Sequence, residues 1–171
     1  MANQIVTVGS IGSWTEIASA MNAELNQLGQ NVSQVIGADI SGGAGSIFLT
    51  TTDGGKGYNC KVAIWSQESG DDLEQVMTSA LNNDNFDGCQ PLALSTISSS
   101  DKWIAMLVYF MEGGPQGVDY TVFVGEDSDP DKMDSKILTH VNAGDDQPVL
   151  YAFCQGDGGN RGVLLYSEPG K

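Results

Sequence analysis

Apolar residues recur along this chain at two spacings. Trp14, Ile17, Ala18, Met21, Leu25 and Leu28 lie three or four apart, the interval that brings side chains onto one face of an α-helix. Ser13-Trp14-Thr15-Glu16 opens that stripe with the form of a capping box, and Gly29 closes it as a stop. A short β-branched run, Ile5–Val8, precedes it across the loop Gly9-Ser10-Ile11-Gly12. Two extended segments follow, Val32–Ile40 and Ser46–Thr52, around the turn Ser41-Gly42-Gly43-Ala44-Gly45. The predicted order is strand, helix, hairpin.

The order returns twice. Cys60–Trp65 reads as a strand, and Leu73, Val76, Met77, Ala80 and Leu81 as a helical stripe. Asp71, Asp72 and Glu74 sit in the first turn of that helix, where its dipole favours acids, and Asn82–Asn85 ends it. Pro91–Ser98 and Trp103–Met111 form the second hairpin around a Ser98–Asp101 turn. The run Trp103–Met111 is almost wholly apolar and predicts a strand buried on both faces. In the third pass Tyr120–Val124 is the strand, and Asp129-Pro130 is a cap followed by proline at the first helical position. Met133, Ile137, Leu138 and Val141 are the stripe, with Gly144 as the stop. Pro148–Gln155 and Gly162–Ser167 are its hairpin, around a turn at residues 156–160.

The stripes begin at Trp14, Leu73 and Met133, a period of about 60 residues carried by element order and not by residue identity. The fold class predicted is α+β: three strand–helix–strand–strand units (about 2–57, 58–114 and 115–171) sharing one core in a single domain. The sheet is mostly antiparallel, with strands pairing across unit borders and helices packed on its outer face. The glycine-rich linkers Asp53–Gly57 and Gly113–Gly117 are too short to separate the units into independent domains.

Composition adds a strong charge bias. There are 22 acidic and 7 basic residues, for a net charge of −15, distributed as −3, −6 and −6 over the three units. A field of this sign repels nucleic acid and anionic membranes, so neither is expected as a partner. It suits solubility or a basic protein partner. The first residues have no basic stretch followed by a long apolar one, as a signal peptide would, and no run is long enough to span a membrane. The expected location is the cytoplasm, or a virion or other particle. Three widely spaced cysteines, Cys60, Cys89 and Cys154, read as reduced thiols.

The chemistry-bearing residues concentrate in the three strand-to-helix loops. Ser10, Ser13, Trp14, Trp65, Ser66, Glu68, Glu126 and Asp127 are the candidate ligand-binding residues, since helix N-termini beside an aromatic pair can form a pocket. Asp127-Ser128-Asp129-Pro130-Asp131 spaces acids like the start of a calcium loop, but Lys132 stands at the turn glycine and Leu138 at the bidentate acid. Asp145-Asp146 is a weaker acidic pair still. His140 is the sole histidine, and no nucleophile lies at a telling distance from it in sequence. No catalytic residue, metal or cofactor is assigned.

The strand–helix–hairpin order resembles that of dodecin-type flavin-binding assemblies in element order alone, with no matching motif and no residue carried over. The composition resembles virion and tail components. Aromatic residues such as Phe48, Tyr109, Phe110, Tyr151, Phe153 and Tyr166 lie in predicted strands, and the strands Ser46–Thr52 and Val163–Ser167 read as unguarded edges. These features predict a non-enzymatic assembly or binding protein, such as a self-assembling or virion-type structural subunit, whose partner is itself or another protein. Two other readings are a small-ligand-binding protein or enzyme using the strand-to-helix loops, and an acidic inhibitor or immunity protein docking on a basic partner.

Overall fold

The computed structural model describes residues 1–9, 11–99, 101–142, 147–156 and 159–168. Ser10, Ser100, Gly144, Asp145, Asp146, Asp157 and Gly158, which the sequence reading used, lie outside the described residues. Three units repeat one element order. The first is β1 (Ala2–Gly9), α1 (Trp14–Leu28), β2 (Val32–Ser41) and β3 (Ala44–Thr51). The second is β4 (Cys60–Gln67), α2 (Gly70–Leu81), β5 (Gln90–Ser99) and β6 (Lys102–Phe110). The third is β7 (Tyr120–Asp127), α3 (Pro130–Val141), β8 (Gln147–Gly156) and β9 (Gly159–Ser167).

Each helix starts where a short polar side chain can take an orphan N–H. Ser13 Oγ accepts from the Glu16 N–H (3.3 Å) while Glu16 Oε2 accepts from the Ser13 N–H (2.7 Å), closing the capping box. Ser69, ahead of the acidic first turn, caps α2, and Asp129 caps α3 with Pro130 behind it. Counted from the caps, the fourth and eighth helical positions are buried in all three: Ile17 and Met21, Leu73 and Met77, Met133 and Ile137. Close helix–sheet approach needs small residues beneath these side chains. A Cβ on Gly45 would lie 2.6 Å from Met21 Sδ, and one on Gly125 or Gly162 would lie 2.6 Å from Met133 Cε.

The sheets have the orders β1-β3-β2, β4-β6-β5 and β7-β9-β8, antiparallel throughout. The crossover helix leaves the first two strands of a unit parallel to each other, and the hairpin return fills the gap between them. Ser46–Thr52 and Val163–Ser167, expected as edges, therefore belong to central strands, and the edges are the first two strands of each unit. Pairing across unit borders, also expected, is confined among the described residues to the bridge between Val32 and Tyr58.

The units join through helix and sheet together. Helix α1 packs on β4 of the second unit, and α2 on β7 of the third. One face of the second sheet (Val62, Ile104, Met106, Val108) shares a core with α1 and the first sheet; its other face (Ala105, Leu107) shares one with α2 and the third sheet. At the far side the second strands meet directly, β2 against β5 and β5 against β8, where the Ile40 N–H donates to Ser95 Oγ (3.2 Å). The layers run sheet, helix, sheet, helix, sheet, helix.

Helix side chains also complete the outer edges of β4 and β7. Asn22 Oδ1 accepts from the Val62 N–H (2.9 Å), and its Nδ2 donates to the Val62 carbonyl (2.8 Å). Beside α2, Asn82 does the same for Tyr120 (2.7 Å in both directions). Thr78 Oγ1 and Glu74 Oε2 accept from the N–H groups of Val122 and Val124 (3.0 Å each). An unmade bond to a half-buried backbone group costs about 1–3 kcal/mol, so these side chains fix how each unit sits on the next. Replacing Asn82 by alanine should lower the unfolding free energy by about 2 kcal/mol with an unchanged denaturant slope. A loss below about 0.5 kcal/mol in urea titration would show that these edge bonds do not hold the units together.

Candidate functional site

The residues singled out from the sequence do not converge on one pocket. Ser13 is occupied by the α1 cap, and Trp14 packs on the core between the first and second sheets. Trp65 packs in the next core, on the opposite face of the second sheet, beside Phe86 and Tyr109. The sheet thus separates the two indoles. Ser66, Glu126 and Asp127, expected in loops, are among the last residues of strands β4 and β7. Ser10 is outside the described residues.

The second strand-to-helix loop does meet the end of β7. Glu68, Trp103 and Glu126 line an open cleft of about 360 Å³ at the N-terminus of α2, formed by the second and third units. Beside it Arg161 is buried, with its guanidinium carbon 3.9 Å from the centre of the Trp103 ring. Arg161 Nε donates to Glu126 Oε1 (3.2 Å) and Nη1 to the Lys102 carbonyl (3.2 Å), while Lys102 Nζ pairs with exposed Glu68 (3.2 Å). Each charge here has a partner, and the group ties the second hairpin turn to the third sheet. Asp127 pairs with Lys136 (2.9 Å) and accepts from the Asp129 N–H (3.0 Å), which together hold its carboxyl below the usual range. The calcium-like spacing is therefore used by an ion pair and a helix cap.

His140 stacks on Phe123 with ring centres 4.2 Å apart, and its Nε2 lies 2.9 Å from Tyr166 Oη. Among the described residues none of the three free thiols bonds to it. Burial pushes the Cys60 thiol up to about 12 and raises Cys89 and Cys154 as well, so each is a protonated, poorly nucleophilic thiol near neutral pH.

The signal missed in the sequence lies at the two ends of the stack. Of the twelve large apolar residues exposed among the described residues, six fall on two surfaces. Ile5, Ile36 and Phe48 lie on the outer face of the first sheet, away from α1. Leu138, Tyr151 and Phe153 lie on α3 and on the flank of β8 away from β5. The alternation in Val6–Val8 and Ile47–Leu49 was the sequence trace of the first surface: every second residue is buried, and those between face out. Among the described residues no helix is long and apolar enough to cross a membrane. No protein-family model, curated protein or solved structure matches this chain.

The buried thiols have a measurable consequence. Below pH 9 Cys60 is neutral in folded and unfolded chains alike and adds no pH dependence. Between pH 9 and about 12 the unfolded chain loses this proton while the folded one keeps it, so stability falls as pH rises through that window. Cys60→Ala should flatten that decline in pH-dependent urea titrations; an unaltered slope would mean that the thiol is not held in its protonated form.

Proposed function

We propose that this chain is a non-enzymatic assembly protein, a self-assembling structural subunit of the virion or particle type, which binds protein through its two open end surfaces. The observation that carries this reading is the placement of exposed apolar side chains. Elsewhere each sheet face and helix stripe is covered by the neighbouring unit, yet Ile5 is 67% exposed where its counterparts Val62 and Val122 are 3% and 1% exposed. Contiguous exposed apolar surface on a highly charged protein marks an interaction site. The chain's net charge of −15, spread over all three units, favours solubility of the unassembled form.

Among the described residues, three of the groupings with polar or nucleophilic side chains are committed to structure. The Arg161 group joins two units, Asp127 and Asp129 serve an ion pair and a cap, and the thiols are held protonated. Native mass should rise to a defined oligomer or filament across a concentration series followed by light scattering. A single monomeric species up to millimolar concentration, with no association in the presence of candidate partner proteins, would defeat the reading.

A further inference from the structure

Resting on the assembly reading, we infer that the partner at each end surface is a second copy of this chain, joined head to tail in the register that links its own units. The same joint occurs twice inside the molecule, and the two open surfaces are its separated halves.

The units correspond residue by residue through their buried helix and sheet positions. Gly45, Ala105 and Gly162 are equivalent, each on the central strand beneath its own helix, opposite Val8, Trp65 and Gly125. Ile5 then matches Val62 and Val122, and its cross-strand partner Phe48 matches Val108 and Leu165. The N–H groups of Val62 and Val122 are taken by Asn22 of α1 and Thr78 of α2. Asn22 and Thr78 both stand nine residues after their helix caps; in α3 that place is held by exposed Leu138, which has no acceptor for the Ile5 N–H and would instead lay apolar surface against the incoming strand.

The neighbouring places follow the α2–β7 joint; in α1 they hold Ala18 and Asn26, and Asn26 bonds Lys61 in place of the strand backbone. Glu74 accepts from the Val124 N–H, and the equivalent residue of α3 is exposed Asp134, which would face the Thr7 N–H of an incoming copy. Asn82 bonds both backbone groups of Tyr120, and its equivalent is exposed Asn142, which would face Asn3. On the other flank, β5 packs against β8 as β2 packs against β5. The next step of that series sets Tyr151 and Phe153 of β8 against Ile36 of the incoming β2. Apolar residues exposed on one end thus meet apolar residues exposed on the other, and the polar helix row meets a strand edge. No symmetric pairing of like ends reproduces this, since the internal joint always sets a helix against the following first strand. Such a joint is heterologous and propagates into filaments or rings.

Two double variants test it: Ile5→Asp with Phe48→Asp on the first sheet, and Leu138→Asp with Phe153→Asp on the opposite end. All four residues are solvent-exposed, and circular dichroism with thermal unfolding checks that each variant retains the fold. Wild-type protein should associate in a concentration-dependent way, more strongly at high salt, because screening relieves repulsion between acidic copies. Either variant alone should stay monomeric, with its association midpoint raised at least about tenfold. Mixed together, the two should form a one-to-one dimer through the one intact end on each. Oligomers that survive both variants, or a homodimer formed by one variant alone, would overturn the head-to-tail joint while leaving the assembly reading in place. A wild-type chain that stays monomeric on its own would overturn the joint, and the assembly reading would then be decided by the partner arm of its own test.

Discussion

The structure depends on one constraint: a three-stranded sheet with apolar side chains on both faces needs cover on both, and one helix per unit covers only one. The chain meets this by making α1 and α2 each serve two sheets. Ile17 and Met21 fill the space over the first sheet, while Asn22, one position on, holds the outer edge of β4. Leu73 and Met77 do the same over the second sheet while Glu74, Thr78 and Asn82 hold β7. Burial of each such side chain stabilises by about 1.5–3 kcal/mol, and the row beside it supplies the directional bonds that set the register between units. The edges of β4 and β7, which in isolated sheets would invite promiscuous pairing, are closed by side chains whose spacing matches the strand.

Much of this was legible in the sequence, for physical reasons that also explain what was not. The helix stripes and their caps are local: Ser13 with Glu16, and Asp129 with Pro130, interact over three residues or fewer and read directly. The almost wholly apolar run Trp103–Met111 reported burial on both faces, and residues 103–108 are buried without interruption. Strand order was not legible, because a split strand–helix–strand unit and a simple meander have the same linear pattern. That ambiguity put Ser46–Thr52 and Val163–Ser167 at the edges when they are central. The edge-binding residues were hidden for a similar reason, since Asn22, Thr78 and Asn82 look like ordinary solvent-facing helix positions until a strand is placed beside them.

The candidate site shows the same division. Trp14 and Trp65 occupy comparable places near the starts of two units, yet the second sheet lies between them, a separation visible only once its two faces are assigned. Glu126 finds Arg161, and Arg161 finds Trp103, across 35 and 58 residues of chain, so neither contact leaves a local trace. What the sequence did contain was the alternation around Ile5 and Phe48. Periodicity shows that a strand has one face unlike the other, and only the tertiary arrangement shows that the second face lacks a cover.

The middle unit has a property that the flanking ones share only in part. Its sheet accepts a helix from one neighbour, and its own helix is accepted by the other, so it carries both halves of a single type of joint. A module built in this way is a step and not a part: duplicated within the gene, it would lengthen the molecule by one layer without any new complementary surface having to arise. Variation in length by whole units is therefore open to this architecture, while insertions of any other size must be absorbed in the turns between strands.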